Sequence, residues 1–98
     1  MATFIVERYL PGIDGDAFAE AAGRAAAAAA AMTEQGVAVR YLGSALVPEE
    51  EYCVCRFEAS DVEAVREANR RAGLPFWRVV RAVLVDHPPF EARVSGVR

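Results

Sequence analysis

The chain has 98 residues, the size of one domain, and its 54% hydrophobic and 26% charged residues exclude a disordered chain. A formal charge of −3 argues against nucleic acid as a partner, because that recognition rests on clustered positive charge. All eleven basic residues are Arg, which excludes Schiff-base lysine chemistry and a P-loop lysine. The longest apolar run, Ala25 to Met32, is far shorter than the ~20 residues a membrane span needs, so no membrane partner is expected. The first residues carry Glu7 and Arg8 and lack an apolar leader, and the expected location is cytoplasmic.

Thr3 to Leu10, rich in β-branched and aromatic residues and stopped by Pro11-Gly12, reads as a first strand. Asp14 or Asp16 offers an N-cap for a helix from Ala17 to about Glu34, which Gly36 ends. Large apolar residues are few there, so its buried face is expected at Ala22, Ala25, Ala26 and Ala29, with Phe18 and Met32. Val37 to Val47 and Tyr52 to Glu58 read as a hairpin around Pro48 and a solvated turn of Glu49, Glu50 and Glu51. Ser60-Asp61-Val62-Glu63 matches a capping box and opens a second helix, with Val62, Val65, Ala68 and Ala72 inward and Gly73-Leu74-Pro75 as its stop. Arg78 to Val85 is a fourth strand, broken by Asp86-His87-Pro88-Pro89.

The order βαββαβ is the split βαβ pattern of an α+β, ferredoxin-like fold: a four-stranded antiparallel sheet with two helices on one face. The expected domain spans residues 1–87, followed by a tail over 88–98. Strand alternation puts Cys53, Cys55 and Phe57 on the helix-covered face and Tyr52, Val54, Arg56 and Glu58 on the other. On the first strand Phe4 and Val6 fall on the covered face and Ile5, Glu7 and Tyr9 on the open one, while Arg8 fits the covered row poorly. Arg81, and either Arg40 or Tyr41, are added to the open face. The two cysteines, about 6.6 to 7 Å apart along a strand, do not suit a disulfide and read as buried core residues rather than a metal pair.

Phe4-Ile5-Val6-Glu7-Arg8, Pro11-Gly12-Ile13, Tyr52-Cys53-Val54-Cys55, Phe57-Glu58-Ala59 leading to Glu63-Ala64-Val65, and Arg71-Ala72-Gly73-Leu74-Pro75 together carry a resemblance over residues 3–87. The chain resembles a family of short ferredoxin-like proteins, a domain of unknown function typified by a nickel-binding bacterial protein. The resemblance implies a nickel site built from histidines on the sheet and first helix. Here Glu7, Arg8, Arg24 and Tyr41 lie near where those histidines would fall, and the single histidine is His87.

The open face carries the main functional expectation. Glu7, Tyr9, Tyr52, Arg56 and Glu58 are the candidate catalytic group, with Tyr41, Phe76, Trp77 and Arg81 as ligand-binding residues. A second copy packed sheet to sheet would enclose a cleft for a small organic molecule, and a dry cleft would raise the pKa of Glu7 or Glu58. If the chain is an enzyme, cofactor-independent acid–base chemistry of a cyclase or isomerase type is expected. The alternatives are a metal-binding protein of the resembled family, or a noncatalytic assembly module in which the tail adds a strand to a neighbour.

Overall fold

The computed structural model describes residues 1–85 and 87. Its elements are β1 (Ala2–Tyr9), α1 (Gly15–Glu34), β2 (Val39–Val47), a 3-10 turn (Pro48–Glu50), β3 (Tyr52–Ala59), α2 (Val62–Arg71) and β4 (Arg78–Ala82). One four-stranded sheet runs in the order β2-β3-β1-β4 with every neighbouring pair antiparallel, which is the ferredoxin-like arrangement. The expected tail, residues 88–98, lies outside the described residues.

Local chemistry explains the ends of the elements. Asp14, extended in backbone, caps α1 by accepting the Ala17 amide at 2.8 Å, so the helix starts two residues before Ala17. At its other end Gly36 takes a left-handed φ of +95°, and the Thr33 hydroxyl donates to the Val39 carbonyl at 2.6 Å, delaying β2 until Val39. The cap of α2 is Asp61, which accepts from the Ala64 amide at 2.9 Å; the capping box expected at Ser60 does not form. Its Glu63 partner turns outward to Arg66 and Arg70. In the hairpin turn Glu51 is structural as well as solvated: its carbonyl accepts from Leu10 and its carboxylate from Gly12, both at 2.7 Å.

The core lies between the sheet and the helices. From the strands come Phe4, Val6, Val39, Cys53, Cys55, Phe57 and Ala59; from the helices Ala21, Ala25, Ala29, Met32, Ala64, Val65 and Ala68. The buried stripe of α1 therefore runs at Ala21-Ala25-Ala29, a strict i, i+4 row, with Ala22 and Ala26 only half-buried at its flank. Methyl-sized side chains along that row let the helix approach the sheet closely.

Candidate functional site

The pairing register builds the open face. Tyr9 lies opposite Tyr52, Glu7 opposite both Val54 and Arg78, and Ile5 opposite both Arg56 and Val80. At one end of this face the Glu7 carboxylate, nearly buried, accepts from the Tyr52 hydroxyl on one oxygen and from Arg78 Nε on the other. Aromatic rings surround the pair. Tyr9 is centred 5.7 Å from Tyr52 and 6.1 Å from Trp77, and the Arg78 guanidinium lies 4.9 Å from the centre of the Trp77 ring. Trp77 is 60% exposed and Tyr9 56%, and with Pro75 and Phe76 they edge a shallow depression.

The electrostatics run opposite to the dry-cleft expectation. The Tyr52 hydroxyl hydrogen bond, followed by that of Arg78, holds the Glu7 carboxyl below its usual range, and the same bond raises the Tyr52 phenol. Both Glu7 oxygens have donors, so it is an ionised anchor rather than a base poised for proton transfer.

The remaining expected residues divide. Arg56 and Glu58 are on the open face, where Glu58 pairs with Arg40 at 2.8 Å. Of Arg40 and Tyr41, it is Arg40 that belongs there. Tyr41 is opposite Phe57 on the covered side, the ring centres 5.3 Å apart, and its hydroxyl bonds Ser44. A β-bulge between Tyr41 and Gly43 restores the alternation behind it. Arg81 is also misplaced by the sequence reading: β4 pairs it with Phe4, so it stands on the covered side, exposed at the sheet edge. Phe76, half-buried, packs against the core while edging the depression. Arg78, which sequence reasoning treated only as the start of a strand, completes the cluster.

A second polar group lies beneath the helices. Arg8 is 2% exposed, and its guanidinium donates to Asn69 Oδ1 at 2.5 Å, to the Pro75 carbonyl at 3.2 Å and to Cys55 Sγ at 3.5 Å. Its Nε has no partner among the described residues. No carboxylate is among these contacts; two neutral oxygens and the Cys55 sulfur are what this buried charge has for acceptors. Cys55 also accepts from the Ser44 hydroxyl at 2.9 Å and lies 3.8 Å from Cys53 Sγ. The Cys53 thiol, the Ser44 hydroxyl and the Arg8 charge push Cys55 below the ordinary thiol range, whereas the same sulfur contact and burial push Cys53 up. The cysteines are buried as expected, with Cys55 bordered by polar groups, the Ser44 hydroxyl and the Arg8 guanidinium, as well as by the core. The sequence signal for this cluster was the arginine standing in the row of Phe4 and Val6.

The donor set does not suit nickel. Among the described residues no three His, Cys, Asp or Glu side chains converge on a common point, and His87 is exposed beyond β4. Of the positions where the resemblance would put histidines, Glu7 is tied to Tyr52 and Arg78, Arg8 to Asn69, and Tyr41 to Ser44. Arg24 spans the helices instead, donating to the Ala72 carbonyl at 2.8 Å.

Among solved structures the chain is similar to SCO4226 from Streptomyces coelicolor A3(2), with a TM-score of 0.71 and 21% identity over 87% of this chain and all of that one. This likeness shows the fold. No curated protein matches. The family model described as nickel responsive protein SCO4226-like matches residues 4–81, most of the chain, from within β1 to within β4. The chain therefore belongs to the SCO4226-like nickel responsive protein family.

Proposed function

We propose that the protein binds a small, planar, anionic organic molecule on the open sheet face, and that a second copy packs over that face to close the cleft. The observation that carries this reading is the clustering of exposed Tyr9 and Trp77 with Tyr52 around the Glu7–Arg78 pair. Exposed aromatic groups edged by charge mark ligand and partner surfaces, and stacking on two rings favours a flat molecule. Arg56, exposed on the same face opposite Ile5, with its guanidinium beside Gly43 of β2 and no ion pair among the described residues, adds positive charge to the surface that an anion would approach. Half-buried Ile5, Val54 and Val80 continue the face and give a second copy an apolar surface.

Binding fits this geometry better than catalysis. A cyclase or isomerase needs a base with a free oxygen facing its substrate, and both Glu7 oxygens already accept hydrogen bonds. The family's nickel response finds too few soft or imidazole donors here to support a nickel reading.

Trp77 is the only tryptophan, so its fluorescence reports the site directly. Titration with benzoate and naphthoate is expected to give a saturable change that Tyr9→Ala and Arg56→Ala weaken, while sedimentation velocity shows a dimer that Val54→Arg dissociates. A monomer at all concentrations whose Trp77 emission answers neither probe would overturn the reading.

A further inference from the structure

We propose that residues 90–95 of this chain dock in an apolar groove between α1 and β2 of the same molecule. The groove is separate from the open face, and its occupation goes beyond the reading above. Three observations carry it. First, the groove offers apolar surface and little else. It has a volume of about 420 Å³ and is lined by Met1, Ala26, Ala29, Ala30, Val39 and Tyr41. Arg24 of α1 and Gln35 at its end reach toward α2, to the Ala72 carbonyl and to Arg71. Ala26 and Ala30 fall on the opposite side of the helix, where methyl groups leave a gap beside β2. The polar side chains at its border are already engaged: the Thr33 hydroxyl donates to the Val39 carbonyl at 2.6 Å, the Tyr41 hydroxyl bonds Ser44, and Arg40 pairs with Glu58. A small polar ligand would find nothing there to orient it, whereas a row of apolar side chains would fit.

Second, the chain beyond the described residues has the matching pattern. Phe90, Ala92 and Val94 alternate with Glu91, Arg93 and Ser95. Extended, such a stretch turns one apolar row to a surface and one polar row to water. The family match ends at residue 81, ahead of this segment.

Third, the segment starts from the right place. Ala82 is opposite Thr3, Ala2 is opposite Ala59, and Ala59 is opposite Val39, so β4 ends at the same end of the sheet as the groove and its Met1 wall. Val83 and Val85 leave that end 90% and 88% exposed. Crossing three strand spacings from β4 to β2 takes about 15 Å, and the chain from Ala82 to Phe90 extends to about 26 Å, so Phe90 reaches the groove of its own molecule.

The test is nuclear magnetic resonance of the full, isotope-labelled chain. Nuclear Overhauser contacts are expected from the Phe90 ring to the Ala26 and Ala30 methyl groups, and in a mixture of differently labelled chains they are expected within one molecule. Trypsin cleavage after Arg93, read by mass, is expected to run about tenfold or more faster in Phe90→Asp and in Ala30→Glu than in wild type. Ala30 is exposed and Glu is a good helix former, so that variant blocks the groove without disturbing the core. Absence of Phe90 contacts to α1, contacts found only between differently labelled molecules, or equal cleavage of all three chains would each overturn the proposal. The contacts are read on wild type, so they decide even if a variant fails to fold.

Discussion

Replacing Arg8 by Met tests whether a buried guanidinium organises the covered side of the sheet. Methionine keeps much of the arginine stem's volume and removes the charge, so the change isolates polar pairing from cavity formation. It leaves Asn69 Oδ1, in a residue fully shielded from water, without its donor, and the Pro75 carbonyl without its side-chain partner. An unsatisfied buried acceptor costs about 1–3 kcal/mol, and relief from desolvating the charge offsets part of the total. The expected net loss is therefore about 2–3 kcal/mol, which in a domain of this size lowers Tm by roughly 10–20 °C. Urea unfolding, followed by far-UV circular dichroism and by Trp77 fluorescence, gives the free energy and checks that both probes report one transition. The double variant Arg8→Met/Asn69→Leu removes both partners and is expected to recover part of the loss. A single variant within about 0.5 kcal/mol of wild type would refute the reasoning.

Three further outcomes follow from the same geometry. Glu7 has its folded-state pKa lowered, so its contribution is complete above the ordinary carboxyl value of 4.5 and is lost as pH falls below it; Glu7→Gln should remove that part of the acid-side slope in thermal melts from pH 7 to 3. With Arg78 half exposed the effect at pH 7 is about 1 kcal/mol or less, and parallel wild-type and variant curves would count against the pairing. Asp61→Ala should cost about 1 kcal/mol and Ser60→Ala under about 0.5 kcal/mol in urea unfolding, and the reverse order would restore the capping box. Ala25→Leu forces three heavy atoms into the fully buried contact of α1 with the sheet and should destabilise by about 1–3 kcal/mol, measured by Tm, with an unchanged Tm showing a looser seat than the packing implies.

Short-range patterns made much of this molecule legible from residue order. Two-residue alternation separated Cys53, Cys55 and Phe57 from Tyr52, Arg56 and Glu58, because successive side chains on a strand leave opposite faces. Gly36 and Gly73 marked helix ends because they accept left-handed backbone there. The βαββαβ order then led to the sheet, since right-handed crossovers and a hairpin leave few ways to join four strands.

The sites needed the folded chain. Sequence alone determined that Glu7, Tyr9 and Tyr52 share a face; the tertiary structure decided that Trp77 and Arg78 complete it, because β4 pairs with β1 from 71 residues away. The side taken by Tyr41 depends on the bulge and on where Phe57 falls in the register, which no local propensity encodes. Arg8 shows the division most clearly. Its place in an apolar row is visible in the sequence, but its partners lie 47 to 67 residues along the chain, on β3, on α2 and in the segment before β4. A charge is tolerated in a core only where long-range packing brings acceptors to it, so its role was settled by the assembled layers and not by its neighbours in sequence.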